Sequence, residues 1–258
     1  MTKLDGKVAI ITGADSGIGR AAALAMAGEG ADIVINYLHD EQGATSTKGE
    51  VEALGRRAVV IQADHRDEQQ VEAMFRSAIE AFGHVDIMMN NAGVDASGTY
   101  VADLDLADFD AVLRTNLYGP LLCCKHFINH RKANGGGGRI INVSSVHEEQ
   151  PRAGAADYCC SKGALRNLTR TLALEVSEMG ITVNNIAPGM VLTPFNQQAI
   201  DDPDYRNEQV QSIPMKRAAQ PAEIGHLAVF LASDDASYVT GASYVMDGGL
   251  MQMSGQGA

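Results

Sequence analysis

The amino-acid sequence predicts an α/β fold in which about seven parallel strands form one doubly wound sheet with helices on both faces. Short apolar runs alternate with amphipathic segments along the whole chain. Strands that read as apolar throughout are typical of parallel sheets covered on both sides. Right-handed crossovers between such strands then produce the doubly wound arrangement. No linker interrupts the alternation, so we expect a single domain over residues 1–258.

The first half of the chain predicts four strands separated by three helices. Each predicted strand is a short apolar run bounded by glycine or polar residues, which indicates a buried strand. These runs cover residues 7–13, 32–37, 57–64 and 85–93. The segments between them carry apolar residues at helical spacing. The predicted helices cover residues 17–31, 41–55 and 67–83.

The second half continues the same alternation with longer helices. Predicted helices cover residues 105–114, 116–132, 156–179 and 221–232. Predicted strands cover residues 139–145, 182–189 and 242–249. The stretch from about 190 to 215 has no clear periodicity, and a long irregular segment in a compact domain is often a substrate loop. We therefore expect a substrate loop at about 190–215.

Composition and charge exclude several classes of protein. The chain has 20 Lys and Arg against 32 Asp and Glu, for a formal net charge of −12. This charge repels nucleic acid and anionic membrane surfaces, so neither is an expected partner. No apolar run approaches the roughly 20 residues that span a bilayer, and the N-terminus lacks a signal-peptide pattern. We expect a cytoplasmic protein.

The four cysteines fall as two adjacent pairs, Cys123–Cys124 and Cys159–Cys160. Neighbouring residues on a helix point in different directions, and no C-x-x-C spacing exists, so a disulfide or zinc site is not expected. The cysteines are interpreted as small apolar filler. His126 and His130 are four residues apart but lack the Glu of a metal-binding H-E-x-x-H pattern. We predict no metal site.

A glycine-rich turn, "TGADSGIG" at residues 12–19, joins the first predicted strand to the first helix. Its glycines permit a tight turn, close backbone approach and close packing of helix on strand. The amides at the helix N-terminus then face a pyrophosphate, as in Rossmann-like nucleotide sites. The spacing is G-x-x-x-G-x-G. The alternative interpretation is an ordinary βα turn that happens to be rich in glycine.

Tyr158 and Lys162 lie four residues apart in a predicted helix and therefore share a face. Ser145 lies where a predicted strand ends, at the edge where parallel strands converge on a ligand crevice. A free tyrosine has a pKa near 10, and a nearby ammonium favours the phenolate. Tyr158 could then exchange a proton with a substrate oxygen that Ser145 holds. The alternatives are a surface Tyr–Lys pair, and Ser144 in place of Ser145.

The chain resembles the short-chain dehydrogenase/reductase family over essentially its whole length. The resemblance rests on the glycine turn, on Ser145, Tyr158 and Lys162, and on "NNAG" at 90–93, Asn116 and "PGMVLT" at 188–193. Within that family, "INYLHDE" and "SSVHEEQP" are most similar to glucose 1-dehydrogenases and related sugar dehydrogenases. The resemblance implies an NAD(P)-dependent enzyme that moves a hydride between nicotinamide and a secondary alcohol or carbonyl. It also implies a homotetramer built on the long helices around 116–132 and 156–179 and on the C-terminal strand.

The resemblance implies four catalytic residues: Asn116, Ser145, Tyr158 and Lys162. Lys162 would also bind the nicotinamide ribose, and Asn116 would anchor a water in a proton relay. The implied cofactor-binding residues are Gly13, Asp15, Ser16, Gly17, Ile18, Gly19, Asn36, Tyr37, Asp64, His65, Asn90, Ala92, Gly93, Tyr158, Lys162, Pro188, Gly189, Val191 and Thr193. Asp64 would serve equally as the N-cap of the following helix.

The sequence leaves the choice between NAD and NADP open. An NAD site usually places Asp or Glu about 20 residues beyond the glycine turn, whereas this chain has Asn36 followed by Tyr37. Family members that prefer NADP often carry Arg or Lys at the position of Ser16 or just after that of Asn36. This chain has neither. Asp15 disfavours a 2′-phosphate.

Polar residues near the expected mouth of the crevice suggest a small-molecule substrate that carries hydroxyl groups. The candidate substrate-binding residues are Asp95, Ser145, His147 and Asn196, with Glu149 beside them. They could equally be solvated loop side chains. The first hypothesis is an aldose 1-dehydrogenase that yields a lactone. The alternatives are a carbonyl or 3-oxoacyl reductase, and a cofactor sensor without activity.

Overall fold

The computed structural model describes residues 2–253, which contain one seven-stranded parallel sheet in the order β3-β2-β1-β4-β5-β6-β7. The strands are β1 Val8–Ile11, β2 Asp32–Tyr37, β3 Ala58–Gln62, β4 Ile87–Asn90, β5 Gly138–Val143, β6 Ile181–Pro188 and β7 Ser243–Met246. The doubly wound parallel sheet predicted from the sequence is confirmed. Met1 and residues 254–258 of the predicted domain lie outside the described residues.

Helices cover both faces of the sheet because its strands are apolar on both sides. The α-helices are α1 Gly17–Gly28, α2 Glu41–Ala53, α3 Glu68–Phe82, α4 Leu106–Leu113, α5 Gly119–Ala133, α6 Ala156–Val176, α7 Gln197–Asp201, α8 Pro203–Gln209 and α9 Pro221–Ala232. One hydrophobic cluster joins the sheet to α1, α2 and α9, and a second joins it to α3, α5 and α6. The core therefore consists of two apolar layers with the sheet between them.

The chain order reverses between β1 and β4, which are neighbours in the sheet. Strands added after β1 run outward to one side as β2 and β3, whereas β4 and its successors run outward to the other. Loops that leave the carboxyl ends of β1 and β4 therefore diverge and open a crevice. The glycine turn lies at the carboxyl end of β1, beside this crevice.

A π-helical turn, Arg114–Tyr118, separates α4 from α5. The sequence predicted two separate helices here, at 105–114 and 116–132, but the helical path is continuous. Pro120 lies at the start of α5, and it has no backbone N–H for the carbonyl four residues earlier. The wider turn accommodates this missing bond, and such turns often occur at functional sites. Asn116 lies in the middle of it.

The segment at 190–215, predicted to be irregular, is largely helical. It contains α7 and α8 with 3₁₀ turns at Pro194–Asn196 and Val210–Ser212. Asp202 caps α8 by accepting hydrogen bonds from the amides of Asp204 and Tyr205. Helices this short contain too few turns to show an apolar period, which is why the pattern did not reveal them.

Cys123 and Cys124 are buried, as the filler interpretation requires, whereas Cys159 is half-buried and Cys160 is exposed. The filler interpretation is therefore wrong for Cys160. Successive side chains on a helix point about 100° apart, so α6 can bury Tyr158, Ser161 and Lys162 while Cys160 faces outward.

No helix among residues 2–253 is both long enough and apolar enough to cross a membrane. In the same part of the chain, no three His, Cys, Asp or Glu side chains are grouped so that they could hold a metal ion.

Candidate active site

A cavity of about 900 Å³ lies at the carboxyl ends of the central strands. It begins at the glycine turn and ends against the short helices α7 and α8. Most of the residues expected to bind the cofactor line it: Gly13, Asp15, Ser16, Gly17, Ile18, Asn36, His65, Ala92, Gly93, Tyr158, Lys162, Pro188, Gly189, Val191 and Thr193. Gly19, Tyr37, Asp64 and Asn90 are not among its lining residues.

The backbone of the glycine turn has a conformation that can bind a phosphate group. Gly13 and Gly17 have φ angles of 61° and 54°, which side chains rarely tolerate. A Cβ on Gly19 would lie 2.1 Å from the carbonyl oxygen of Gly13. Gly19 therefore permits the tight approach of α1 to β1 without lining the cavity. The residues present fit the pyrophosphate of a dinucleotide.

The amides that open α1 are not capped by a side chain. Ser16 is the N-cap residue, but its hydroxyl makes no capping bond and instead donates to Asp15 at 3.3 Å. The first amides of a helix need an acceptor from outside the helix. A phosphate in the cavity would supply it, in the field of the helix dipole.

The adenosine end of the cavity differs in part from expectation. Asn36 lines the cavity, but its amide donates to the carbonyl oxygens of Ile61 and Ala63 at 3.3 and 3.0 Å. Asp64 pairs with Arg66 at 2.7 Å. His65 lines the cavity, and its Nε2 lies 2.8 Å from the carbonyl oxygen of Thr115 in the π-turn.

Within "NNAG", the second asparagine faces the cavity and the first does not. Asn90 is the last residue of β4, and its Nδ2 donates to Asn142 at 2.7 Å inside the sheet. Asn91 lines the cavity, and its Nδ2 donates to the carbonyl oxygens of Thr12 and Gly13 at 3.0 and 3.1 Å. Consecutive residues along a strand direction face opposite sides, so the Asn90 side chain is held inside the sheet while the Asn91 side chain faces the cavity. Asn91 stabilises the glycine turn.

Ser145, Tyr158 and Lys162 come together on the cavity wall, all buried. Tyr158 is 9% exposed, and the nearby Ser145 side chain acts to lower the pKa of its hydroxyl. Lys162 Nζ lies 5.4 Å from the centroid of the Tyr158 ring and donates to the carbonyl oxygen of Val143 at 3.0 Å. Ser144 also lines the cavity, with its hydroxyl 3.5 Å from the Lys162 carbonyl oxygen.

The ionisation of this cluster differs from the sequence-based expectation. Burial raises the pKa of Tyr158 to about 12, and the Ser145 side chain only partly offsets this. Burial also lowers the pKa of Lys162 to about 8, although the negative charge of Glu148 acts to raise it. In the free protein the ammonium on its own therefore does not bring the pKa of the phenol below its ordinary value, and the expected decrease depends on the ammonium together with a cationic nicotinamide. Removal from water penalises both charged forms.

Asn116 supports the cluster from behind the cavity wall. Its Oδ1 accepts from the amide of Val94 at 2.9 Å, and its Nδ2 donates to the Val94 carbonyl oxygen at 2.9 Å and to Ser161 Oγ at 3.2 Å. These bonds tie the loop after β4 to α6. A Cβ on Gly93 would lie 3.1 Å from Asn116 Oδ1 and 3.7 Å from Lys162 Nζ, so both side chains approach the backbone of Gly93.

Polar groups line the outer part of the cavity beside Tyr158. The ring of His147 meets that of Tyr158 edge to face at 6.0 Å, and His147 Nδ1 lies 2.7 Å from the Gln150 carbonyl oxygen. Asp95 accepts from Arg152 at 3.3 Å across the cavity mouth. His147 and Asp95 both line the cavity.

Asn196 also lines the cavity, with its amide donating to the Val191 carbonyl oxygen at 2.9 Å. Glu149 does not line the cavity and pairs with Arg166 instead. Sequence reasoning missed Arg152 because a single arginine in a loop carries no motif.

Comparisons with known proteins agree with this geometry. A family model described as enoyl-(acyl carrier protein) reductase matches residues 13–251. Glucose 1-dehydrogenase 2 of Bacillus subtilis is 38% identical over 96% of this chain and 95% of its own. 3beta-hydroxysteroid dehydrogenase 1 of Eggerthella lenta is 40% identical over 96% of this chain and 94% of its own.

Among solved structures, acetoin dehydrogenase from Enterobacter cloacae superposes with a TM-score of 0.89 at 38% identity, covering 100% of this chain and 99% of that chain. A short-chain dehydrogenase/reductase from Serratia marcescens superposes with a TM-score of 0.89 at 34% identity, covering 96% of this chain and 99% of that chain. The chain is therefore an NAD(P)-dependent oxidoreductase of CH–OH groups and belongs to the short-chain dehydrogenase/reductase family.

Proposed function

We propose that this protein oxidises an aldose at C1 to the lactone, with Tyr158 as the proton-transfer residue. The observation that carries the proposal is the buried cluster of Ser145, Tyr158 and Lys162 on the wall of a cavity whose outer part is polar. The relation to glucose 1-dehydrogenase 2 of Bacillus subtilis supports the sugar.

Tyr158 exchanges the proton of the substrate oxygen. Its phenol oxygen accepts the proton of the C1 hydroxyl during oxidation, and the phenol returns a proton during reduction. The bound nicotinamide would accept or supply the hydride, and its oxidised form would add positive charge nearby. Because burial raises the pKa of Tyr158 to about 12, oxidation needs positive charge beside the ring, and Lys162 is this chain's own source of it.

Ser145 and Asn116 hold the reacting groups in place. The Ser145 hydroxyl would hydrogen-bond the same substrate oxygen as Tyr158 and stabilise the negative charge that develops on it. Asn116 acts at a distance, because its bonds to Val94 and Ser161 hold the loop after β4 against the helix that carries Tyr158. The chain would bind the dinucleotide through the amides that open α1 and through Lys162, Val191 and Thr193, which line the cavity.

NAD is the proposed cofactor in preference to NADP. Asp15 and Asp40 line the cavity where β1 and β2 end, and their carboxylates would repel a 2′-phosphate. Arg66 also lines this end of the cavity, but its guanidinium is held by Asp64 at 2.7 to 3.0 Å.

A substrate and cofactor screen on purified protein tests this function. We expect absorbance of reduced nicotinamide to rise with aldoses, with kcat/KM at least about tenfold higher for NAD than for NADP, which corresponds to about 1.4 kcal/mol. Reduction of ketones or 3-oxoacyl compounds without aldose oxidation would overturn the sugar assignment. Tight nucleotide binding without turnover of any substrate would support a sensor and overturn the enzyme.

A carbonyl reductase is the second candidate. Phe195, Ile213 and Leu250 line the end of the cavity near α7 and α8, and an apolar wall suits a hydrophobic ketone. The relation to 3beta-hydroxysteroid dehydrogenase 1 of Eggerthella lenta supports this alternative. The same cluster would then work in the reducing direction.

His147 is the side chain that we expect to contact the sugar. If its Nδ1 donates to the Gln150 carbonyl oxygen, its Nε2 is left as an acceptor for a sugar hydroxyl. We expect His147→Ala to raise the KM for the aldose about fivefold, because one hydrogen bond contributes about 1 kcal/mol, with little change in the KM for NAD.

His226→Ala is the matched control, since His226 is exposed on α9 away from the cavity. Steady-state kinetics with both substrates varied measures the effect. An unchanged aldose KM in His147→Ala would remove His147 from the substrate site.

The proposed assembly is a homotetramer. Leu121 on α5, Leu174 on α6 and Val245 on β7 are exposed in the single chain, Leu174 at 83%. Exposed apolar side chains on long helices are expected where subunits pack. Light scattering should give the mass of four chains, and the mass of one chain would contradict the proposal.

A further inference from the structure

A buried carboxylate lies directly behind the catalytic turn and has no role in the mechanism above. Glu148 follows Ser145 by three residues and His147 by one. Its side chain is 2% exposed, and it does not line the cavity. A carboxylate removed from water is costly unless charged or hydrogen-bonding partners surround it.

Glu148 contacts three separate elements of the fold. The Ser243 hydroxyl of β7 donates to its Oε1, and Asn185 Nδ2 of β6 donates to its Oε2 at 3.2 Å. Arg166 Nε of α6 lies 3.6 Å from Oε1 and supplies charge. The Glu148 carbonyl oxygen would lie 3.7 Å from a Cβ on Gly163, the residue after Lys162. The turn is therefore packed directly on the catalytic helix.

The contacts of Glu148 continue as a chain of buried polar side chains across the sheet. Asn185 Oδ1 accepts from Thr169 on α6, and Thr169 accepts from Asn142 on β5 at 2.7 Å. Asn142 in turn accepts from Asn90 at the end of β4 at 2.7 Å. Buried networks of this kind hold elements in register because every broken bond leaves an unpaired polar group.

We propose that Glu148 is a positioning residue, whose buried carboxylate anchors the Ser145–His147 turn to α6, β6 and β7 and places a negative charge behind Lys162. This inference rests on the proposed proton chemistry, but it is independent of which alcohol is the substrate. Glu148 touches neither the cavity nor the reacting atoms. It acts through Ser145, His147 and Lys162.

The charges around Lys162 define the electrostatic part of this role. Tyr158 faces Lys162 from the same helix, and Glu148 faces it from the turn, with Arg166 and Glu149 beyond. Burial lowers the pKa of Lys162 to about 8, and Glu148 opposes that decrease. Loss of the Glu148 charge therefore lowers the pKa of Lys162 further, so the ammonium is lost at a lower pH.

The first test is Glu148→Gln, which keeps the shape and removes the charge. We expect kcat to fall about tenfold or more, because a hydrogen-bonded charge is lost, with the KM for the cofactor nearly unchanged. The alkaline fall of kcat/KM in the reducing direction should move to lower pH. Glu148→Asp keeps the charge on a shorter stem, so its kcat should fall while the alkaline limb stays at the wild-type pH.

Asp32→Asn is the matched control. Asp32 is another buried carboxylate, paired with Arg56 and Arg57 at 2.9 and 2.6 Å, and it lies at the opposite end of β2 from the cavity. We expect this variant to lower the melting temperature with wild-type kcat and pH profile. A wild-type pH profile in Glu148→Gln, with activity lost only in proportion to the melting temperature, would overturn the proposal.

A readout without turnover separates this inference from the proposed function. The ¹⁵Nζ resonance of Lys162 in the cofactor-free protein can be assigned by its loss in Lys162→Met and titrated by NMR. Its midpoint should be lower in Glu148→Gln than in wild type, and equal midpoints would overturn the electrostatic role. Failure of the sugar assignment would show in the wild-type substrate screen and leave this comparison intact.

Discussion

Tyr158→Phe should lower kcat by about 10²- to 10⁴-fold, the range that general acid–base catalysis contributes. The variant removes one oxygen and keeps the ring packed against His147 and Lys162. Cofactor affinity and stability should therefore change little. Tyr158 is buried on the cavity wall beside Ser145, and loss of its hydroxyl removes the proposed proton donor and acceptor.

Steady-state kinetics together with nucleotide binding by fluorescence measures this effect. Tyr238→Phe is the matched control, because Tyr238 is fully exposed and lies outside the cavity. Turnover at the wild-type rate in Tyr158→Phe, with the dinucleotide still bound, would show that the proton passes elsewhere.

Lys162→Met should abolish most activity and change how stability depends on pH. We expect kcat to fall by at least about 10²-fold, because the positive charge beside the phenol is lost. A lysine in the unfolded chain stays protonated up to its ordinary pKa of 10.5, whereas folded Lys162 releases its proton near its lowered pKa of about 8. Between these values the folded state binds fewer protons, so wild-type stability rises with pH across this window.

The size of this rise is on the order of 3 kcal/mol, from the difference between the two pKa values. Below pH 8 the full cost of burying the ammonium remains, and it is relieved as the pH approaches 10.5. Lys162→Met lacks the titrating group, so the contribution of this residue to the rise should disappear. Near neutral pH, the free energy of unfolding of Lys162→Met should exceed that of the wild type by less than about 3 kcal/mol, the size of the pH-dependent rise. The gain is smaller because the Val143 carbonyl oxygen loses its hydrogen-bond donor.

Urea unfolding of both proteins at several pH values between about 7.5 and 10 measures the difference in slope. Lys125→Met is the control, since Lys125 pairs with Glu68 at the surface. Equal pH slopes in wild type and Lys162→Met would show that the folded protein holds Lys162 protonated throughout.

The fold could be predicted from the sequence because its signals are local. Apolar runs of strand length, helical spacing of apolar residues and the glycine turn each depend on a few neighbouring residues, and the observed strands lie within or close to the predicted ranges. The grouping of Ser145, Tyr158 and Lys162 was also predictable. Helical spacing places Tyr158 and Lys162 on one face, and parallel strands end at one edge of the sheet.

Other features of the site depend on contacts between segments that are far apart in the sequence. Asn90 bonds to Asn142, which leaves Asn91 to hold the glycine turn, and no local pattern distinguishes the two. Glu148 resembles Glu149 in the sequence, yet its partners Asn185 and Ser243 lie far along the chain.

The ionisation of the site was likewise a tertiary property. The spacing of Tyr158 and Lys162 in the sequence specifies how close they lie, and it suggested an acidic phenol. Burial by surrounding elements instead disfavours charge on both groups, with pKa values of about 12 and about 8. The sequence determined which residues meet, because spacing along helices and strands is local. The folded surroundings decided their protonation, because desolvation is set by everything packed around them.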